Sequence, residues 1–482
     1  MNSIFLCCLG KESTPFRYAI KRPEMVKKLK MPNSKNNNFP LFKRITLLVL
    51  PTLICGFAAQ AAPEQARPAD AFVETIGLGG RYDWMFGGGQ LGDAKSVLQK
   101  TKIRYIRGGV LGEGVDQVAY SAAMRKMLTD LNVKMCGLVS WESPDESIAA
   151  VRRLGPALYA LEGVNESWDR PDWGWKGWNT ALDVQKFIYG LGRSRNLDVY
   201  SWTLGGPINA YVMEEFTDGY RQTDAFSTHA NFHPYHWYSN PDGRGTTKII
   251  GLWQDAETPD KKGAVETVRR VMQNPKKRLV ATEWGWSNAP KEGDPFWVPE
   301  AARAKFYARG MLESFNAGLE RSFLYSINSH LNYNIREGAK LLPTGQAVAD
   351  LIALTEDRGA AFQAGPLDYS LSVDSGMRVG DDRDLRNDEI HHTLLQKRDG
   401  RFLLILWADK DSHLNDTKSE NATLTLPKGA AQVRLFKPVS NGTKAVSTLG
   451  AVAAGGTVRL TGAVAIPDHP LIIELTPHSH KK

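Results

Sequence analysis

The chain has 482 residues, of which 42% are hydrophobic and 23% charged, a composition typical of a globular protein. Its length predicts two folded units plus a processed segment. The formal net charge of +8 comes from the first 61 residues, which hold ten basic and two acidic side chains and leave fifty of each beyond them. Neither nucleic acid nor an anionic membrane is therefore a predicted partner.

The N-terminal segment has the layout of a secretory signal. A basic pair precedes the apolar run 45–58, and residues 59–61 form a small-x-small site, so cleavage is expected near Ala61. The run is too short to span a bilayer, and we expect a secreted or periplasmic protein without a stable membrane anchor. Met31 is an alternative start, and lipidation at Cys55 is a minor alternative.

The rest of the chain divides by its hydrophobic pattern. Residues 62–71 are a predicted linker, and residues 72–355 alternate short apolar runs with helical patterns, which predicts an α/β (β/α)8 barrel. Residues 356–482 predict a smaller all-β sandwich. The lone remaining cysteine, Cys136, predicts a buried inert thiol and no disulfide.

The elements are predicted at the following positions. The barrel strands are 73–77, 103–107, 134–139, 159–165, 198–204, 225–229, 278–283 and 322–326. The helices include 120–131, 146–154, 182–193, 265–272, 300–317 and 346–354. The sandwich strands are 392–396, 402–408, 422–426, 432–436, 457–460 and 471–475.

Two carboxylates stand at the ends of predicted barrel strands. Glu166 follows the fourth strand, directly after Asn165, and Glu283 ends the seventh. The carboxyl ends of barrel strands open on one face, so residues remote in sequence converge there. Either glutamate alone would more often be a solvated loop charge. Together they are the pair that a general acid and a nucleophile need to hydrolyse a sugar linkage.

Other residues are predicted to share this face and bind substrate: Arg107, Trp141, Asn165, Trp168, His233, Tyr235, Trp284, Tyr325 and Asn328. His229 is expected beside them, and Glu142 is the rival carboxylate. Arg107 would keep Glu283 ionised, while Trp168 and partial burial would favour the protonated form of Glu166. Four tryptophans within twelve residues of Glu166 favour an aromatic cleft over simple loop packing.

The Asn-Glu and Glu signature resembles clan A of the retaining glycoside hydrolases over residues 72–354, and the trailing β-domain is similar to that of family 39 and related members. By this resemblance Glu166 is the acid/base and Glu283 is the nucleophile. Asn165 would hold the sugar 2-hydroxyl, and Arg107 would lie beside the nucleophile.

The resemblance also places Tyr235 or His233 where residues of the sixth strand contact the nucleophile or the sugar. Two departures from the pattern stand out. Ser167 occupies a position where many members have proline, and Tyr325 and Asn328 stand at the end of the eighth strand in place of a tryptophan. The second departure affects the family assignment and the innermost sugar subsite.

The sequence thus predicts an exported enzyme that cleaves β-linked oligo- or polysaccharides with retention, without a cofactor or metal. A non-catalytic glycan-binding protein and a transglycosylase are the alternatives. An anionic sugar, bound by basic loop residues such as Arg81, is an alternative substrate. A zinc site at His229, His233 and His236 lacks helical spacing, and the glycine-rich segment 87–92 lacks the preceding strand of a dinucleotide site.

Overall fold

The computed structural model describes residues 63–140, 142–166, 178–203, 217–234, 265, 268–269, 272–274, 276–288, 298–329, 332–380, 389–409 and 417–478. The predicted leader lies outside them. Among these residues, no helix combines the length and apolar character needed to cross a bilayer.

Eight parallel strands close into a barrel, each paired with the next and the eighth paired with the first. They are β1 (Ile76–Gly79), β2 (Tyr105–Gly109), β3 (Lys134–Leu138), β4 (Leu158–Glu162), β5 (Asp198–Tyr200), β6 (His229–Phe232), β7 (Arg278–Trp284) and β8 (Arg321–Tyr325). The predicted (β/α)8 fold class is confirmed.

Two strand positions differ most from the prediction. The first was expected at 73–77, but a short helix runs to residue 74, and the strand begins two residues later. The sixth was expected at 225–229, but the amide of Phe226 bonds to Thr223 in a turn that follows a helix. His229 therefore begins β6 at the amino end of the barrel, and its expected place on the substrate face is wrong.

Helices accompany the barrel strands. They are α1 (Ala69–Glu74), α2 (Tyr82–Gly87), α3 (Leu91–Thr101), α4 (Gln117–Leu131), α5 (Pro144–Leu154), α6 (Trp178–Arg193), α7 (Thr217–Asp224), α8 (Glu300–Asn316) and α9 (Pro343–Thr355). The Asp116 carboxylate accepts from the Ala119 amide (2.7 Å) and caps α4. The glycine-rich segment 87–92 connects α2 with α3, so no strand leads into it, as the sequence indicated.

The barrel interior is layered. A central apolar layer consists of Cys136, Ala160, Tyr200, Val280 and Phe323. Gly77 must lack a side chain there, because a Cβ atom would lie 2.3 Å from Cδ1 of Phe323. The layer nearer the carboxyl ends is polar instead and is formed by Arg107, Glu162, Asn231 and Thr282, which contact one another. This polar layer forms the floor of the candidate site.

The C-terminal region is a two-sheet sandwich, as predicted. Its strands are β9 (Ser370–Val373), β10 (Ile390–Gln396), β11 (Phe402–Ala408), β12 (Ala422–Leu426), β13 (Gln432–Phe436), β14 (Ala445–Leu449), β15 (Gly456–Leu460) and β16 (Leu471–Thr476). One sheet has the order β9-β12-β15, and the other contains β10-β11-β16-β13-β14 with Arg67–Pro68 at its edge. One apolar core fills the space between the sheets. Glu64–Gln65 and Arg67–Pro68, within the predicted linker, thus form two short strands.

Helix α8 lies between barrel and sandwich and is almost wholly buried. Lys305, Arg309 and Glu313 follow one another at four-residue intervals on this helix and meet polar side chains of the sandwich. Lys305 bonds to Asp468 (2.9 Å), and Arg309 pairs with Asp409. These buried ion pairs bind the two parts of the chain together.

Candidate active site

A β-bulge in β7 brings two consecutive side chains into the barrel. The register with β8 shifts between Ala281 and Trp284, so Thr282 and Glu283 together oppose one residue of β8. Bulges redirect side chains and are frequent beside active sites. Both Thr282 and Glu283 consequently reach polar partners that belong to other barrel strands.

Arg107, on β2, joins three acceptors at the carboxyl end of the barrel. Its guanidinium donates to both oxygens of Glu162 (2.7 and 2.9 Å), to Asn165 Oδ1 (2.5 Å) and to Glu283 Oε1. Burial opposes the charge on Arg107, but Glu162 and Glu283 outweigh it and raise the arginine pKa well above its ordinary value. The arginine stays cationic and places its positive charge against the Glu283 carboxyl group.

Glu166 is held in an unusual backbone conformation. Its φ of +46° lies in the left-handed region, which costs a non-glycine residue about 1–3 kcal/mol and is frequent at functional sites. Its amide donates to Thr203 Oγ1 (3.1 Å), a contact that fixes the turn after β4. The Glu166 side chain is 26% exposed, so it remains reachable from outside the barrel.

His233 lies between the two candidate catalytic carboxylates. Its Nδ1 is 2.7 Å from Glu166 Oε1 and 3.8 Å from Glu283 Oε2, and its Nε2 is 2.9 Å from Thr282 Oγ1. Burial lowers the pKa of His233, but the charge of Glu283 and the hydrogen bond to Glu166 raise it above its ordinary value. Carboxyl oxygens of Glu166 and Glu283 lie within 4.8 Å of one another.

Glu162 is a member of the site that the sequence analysis missed. It is the last residue of β4 and is completely buried, with hydrogen bonds from Arg107, Thr282 (2.8 Å) and Asn231 (3.1 Å). A signal was present, because a carboxylate inside a short apolar strand is almost never fully buried without a partner. Its position four residues before Glu166 pointed to the same place.

Two predicted residues at the end of β8 have different surroundings. Burial and the nearby charge of Glu283 raise the pKa of Tyr325, and its phenol hydrogen-bonds to Ser329. Asn328 instead accepts from the Arg81 amide and donates to the Arg81 carbonyl (both 2.8 Å). Asn328 therefore joins two loops, and its predicted contact with substrate stays a prediction.

The prediction that Trp284 binds substrate is wrong. Trp284 is fully buried and packs against Tyr307 of α8 with ring centroids 5.5 Å apart. Gly310 of the same helix leaves room for the indole, since an added Cβ would lie 2.5 Å from Cζ3. The bulge explains the outward direction, because the residue after Glu283 returns to the outer face of the strand.

Three predicted substrate contacts lie outside the described residues: Trp141, Trp168 and Tyr235. Glu142, the rival carboxylate, is exposed. Arg81, considered for an anionic sugar, already pairs with Asp83 (2.7 Å) and Glu113 (2.6 Å), so its charge is largely balanced by the protein.

Two side-chain groups among the described residues place possible metal-ligand atoms within 4.8 Å of one another: Glu166, His233 and Glu283, and Asp198, His229 and Glu320. A guanidinium already pairs with carboxylates in both groups, Arg107 in the first and Arg278 in the second. His229 begins β6 and His233 follows its end, so the two cannot share one ion. His236 lies outside the described residues.

Comparison with known proteins gives a likeness in fold. No family model matches the chain, and no curated protein matches it. A 4-O-α-L-rhamnosyl-β-D-glucuronidase from Fusarium oxysporum 12S is 12% identical with a TM-score of 0.53 and covers 85% of this chain and 97% of its own. A family 51 α-L-arabinofuranosidase from Bifidobacterium longum is 12% identical with a TM-score of 0.50, and the match covers 86% of this chain and 98% of its own.

An α-L-arabinofuranosidase from Thermotoga maritima is 9% identical with a TM-score of 0.50, covering 80% of this chain and 89% of its own. All three are glycoside hydrolases, the class that the resemblance implied. At these identities the likeness establishes a shared fold, and the assignment to family 39 stays a prediction. This chain therefore has a fold that known glycoside hydrolases use.

Proposed function

We propose that this protein is a retaining glycoside hydrolase that cleaves β-glycosidic bonds of an oligo- or polysaccharide, with Glu166 as acid/base and Glu283 as nucleophile. The spacing of these two glutamates carries the proposal. Their nearest carboxyl oxygens are within 4.8 Å, at the barrel end where active sites of this fold lie. Retaining enzymes need carboxyl groups ~5–5.5 Å apart, whereas inverting enzymes need ~6.5–9.5 Å.

In the first half of the reaction, Glu166 donates its proton to the glycosidic oxygen. The bond between this oxygen and the anomeric carbon breaks, and the oxygen takes the bonding electron pair with it. The Glu283 carboxylate forms a bond to that carbon. In the second half, Glu166 takes a proton from water, the water oxygen bonds to the anomeric carbon, and the bond to Glu283 breaks.

The surroundings of the two glutamates suit these roles. Arg107 hydrogen-bonds to Glu283, so a cation lies against the carboxylate that acts as nucleophile. Glu166 is more exposed and contacts His233, so it can exchange protons with substrate and water.

An assay of cleavage on a panel of β-linked glycans, measured as reducing-sugar release, tests the proposal. We expect the wild type to cleave at least one glycan, and Glu166→Gln and Glu283→Gln to lose at least ~100-fold in rate. Glu142→Gln is the matched control and should keep wild-type activity. Unchanged cleavage by both variants would contradict the assignment.

Product stereochemistry tests the mechanism separately. Proton NMR of the first product should show the β-anomer before mutarotation. With an aryl glycoside and azide, Glu166→Ala should give a β-glycosyl azide by way of the covalent intermediate, and Glu283→Ala should give the α-azide by direct attack. An α-anomer from the wild type would indicate inversion.

A glycan-binding protein without catalysis is the second candidate. If the wild type and both glutamine variants bind a glycan equally and none cleaves it, binding is the function. Export belongs to the proposal as well, because the predicted leader would direct it. Fractionation of cells and N-terminal sequencing should find a protein beginning just after Ala61 outside the cytoplasm.

A further inference from the structure

Glu162 connects to both candidate catalytic carboxylates through separate hydrogen-bonded arms. One arm passes through Arg107, which bonds to Glu162 and to Glu283. The other passes through Thr282, whose hydroxyl lies 2.8 Å from Glu162 Oε1 and 2.9 Å from His233 Nε2, and the imidazole then reaches Glu166.

A simple packing role would not require this arrangement. Glu162 is completely buried, where an ionised carboxylate is costly unless it is paired and hydrogen-bonded. An amide or an apolar side chain would fill the same space on β4 at less cost. A buried anion at the point where the two arms meet instead acts electrostatically on the charged groups of both arms.

The charged and titratable groups around Glu162 come from six strands or the turns after them: Arg107, Cys136, Glu166, His233, Glu283 and Tyr325. Arg107 lies between two anions, so the repulsion between Glu162 and Glu283 partly offsets its attraction for Glu283. His233 has Thr282 as its partner on the side away from the active centre, which fixes the ring between the two catalytic candidates.

We propose that Glu162 is a positioning residue that sets the orientation and charge of both catalytic glutamates, acting on Glu283 through Arg107 and on Glu166 through Thr282 and His233. This inference rests on the proposed function. Glu162 itself does not touch substrate, because it lies beneath the site and is completely covered.

Glu162→Gln keeps the shape and removes the charge. The Arg107 charge is then no longer shared, so Glu283 should ionise more readily, and the acidic limb of the kcat/KM–pH profile should move to lower pH by about one pH unit. Lost orientation should lower kcat by about 10- to 100-fold.

Thr282→Val separates the two arms, because it breaks the link to His233 and leaves Glu162 and Arg107 in place. We expect a lower kcat with the acidic limb at its wild-type position. Glu313→Gln is the matched control, since Glu313 is also completely buried and hydrogen-bonded but lies at the sandwich interface. It should lower stability and leave the pH profile unchanged.

Histidine side-chain NMR gives a readout that does not need activity. With labelled histidines and His233→Gln for assignment, the pKa of His233 should fall by about one unit in Glu162→Gln and also fall in Thr282→Val, with no change in Glu313→Gln. An unmoved acidic limb together with an unmoved His233 titration overturns the inference.

The outcomes separate this inference from the proposed function. If the wild type cleaves no glycan, the proposed function fails, and the His233 titration alone decides whether Glu162 acts on this site. If Glu162→Gln does not fold, as judged by circular dichroism, Thr282→Val decides. A wild-type His233 titration in that variant would refute the second arm.

Discussion

Substituting Arg107 by glutamine should strongly destabilise the protein. Arg107 is 5% exposed, and its guanidinium donates two hydrogen bonds to Glu162, which is completely buried, and a further one to Glu283. Removing one partner of a buried ion pair leaves an uncompensated charge and costs about 3–5 kcal/mol. Most of this cost should come from Glu162, because Glu283 can still reach solvent.

The sign of the pH dependence follows from the same charge. In Arg107→Gln the buried Glu162 carboxylate has lost its cation, so its negative charge is uncompensated at neutral pH. At lower pH a proton can neutralise this charge. The difference in unfolding free energy between wild type and Arg107→Gln should therefore shrink as the pH falls from about 7 to 5. Urea unfolding followed by circular dichroism at both pH values measures this difference.

The double variant Arg107→Gln/Glu162→Gln provides the decisive comparison. With both charges gone, it should regain at least half of the stability that Arg107→Gln loses, since neutral groups of similar shape replace the pair. Arg278→Gln is the control, because this arginine is 52% exposed and its ion pairs should contribute only ~0–1 kcal/mol. If the double variant is no more stable than Arg107→Gln, the charge-based reasoning is refuted.

Further predictions concern the packing and titration of buried residues. Gly310→Ala should lower the unfolding free energy by about 1–3 kcal/mol through its clash with Trp284, whereas Gly190→Ala, with open space at the same atom, should stabilise α6 by about 0.5–1 kcal/mol in the same urea assay. Burial and neighbouring cations lower the pKa of His469 from 6.5 to about 3, so the stability present above pH 6.5 is lost as pH falls toward 3. His469→Gln should reduce that slope by up to ~1.4 kcal/mol per pH unit in acid titrations of unfolding free energy, and parallel curves would contradict it.

Much of the candidate site could be predicted because it depends on where strands end. Apolar runs delivered Asn165, Glu166 and Glu283 to one barrel face, and the structure places Arg107 and His233 beside them. The parallel barrel makes this inference possible, since it gathers the carboxyl ends of all strands whatever their separation in sequence.

Other features could not be predicted from the local sequence. Trp284 was expected in the cleft but faces α8, because a register shift against β8 inverts the alternation after Glu283. His229 was expected at the substrate face but lies at the opposite end, because the turn before β6 delays the strand. Glu162 passed unnoticed, because its importance comes from partners on three other strands.

By itself the sequence determined which segments are helices and which are strands, and the order in which they follow one another. The spacing of apolar residues shows whether a segment buries one face of a helix or forms a buried strand. It also placed Glu166 and Glu283 near the carboxyl ends of the fourth and seventh strands. The tertiary structure decided which way each side chain points and which charges meet. Those outcomes depend on strand register, bulges and burial, and these are fixed by hydrogen bonds and contacts between segments far apart in the chain.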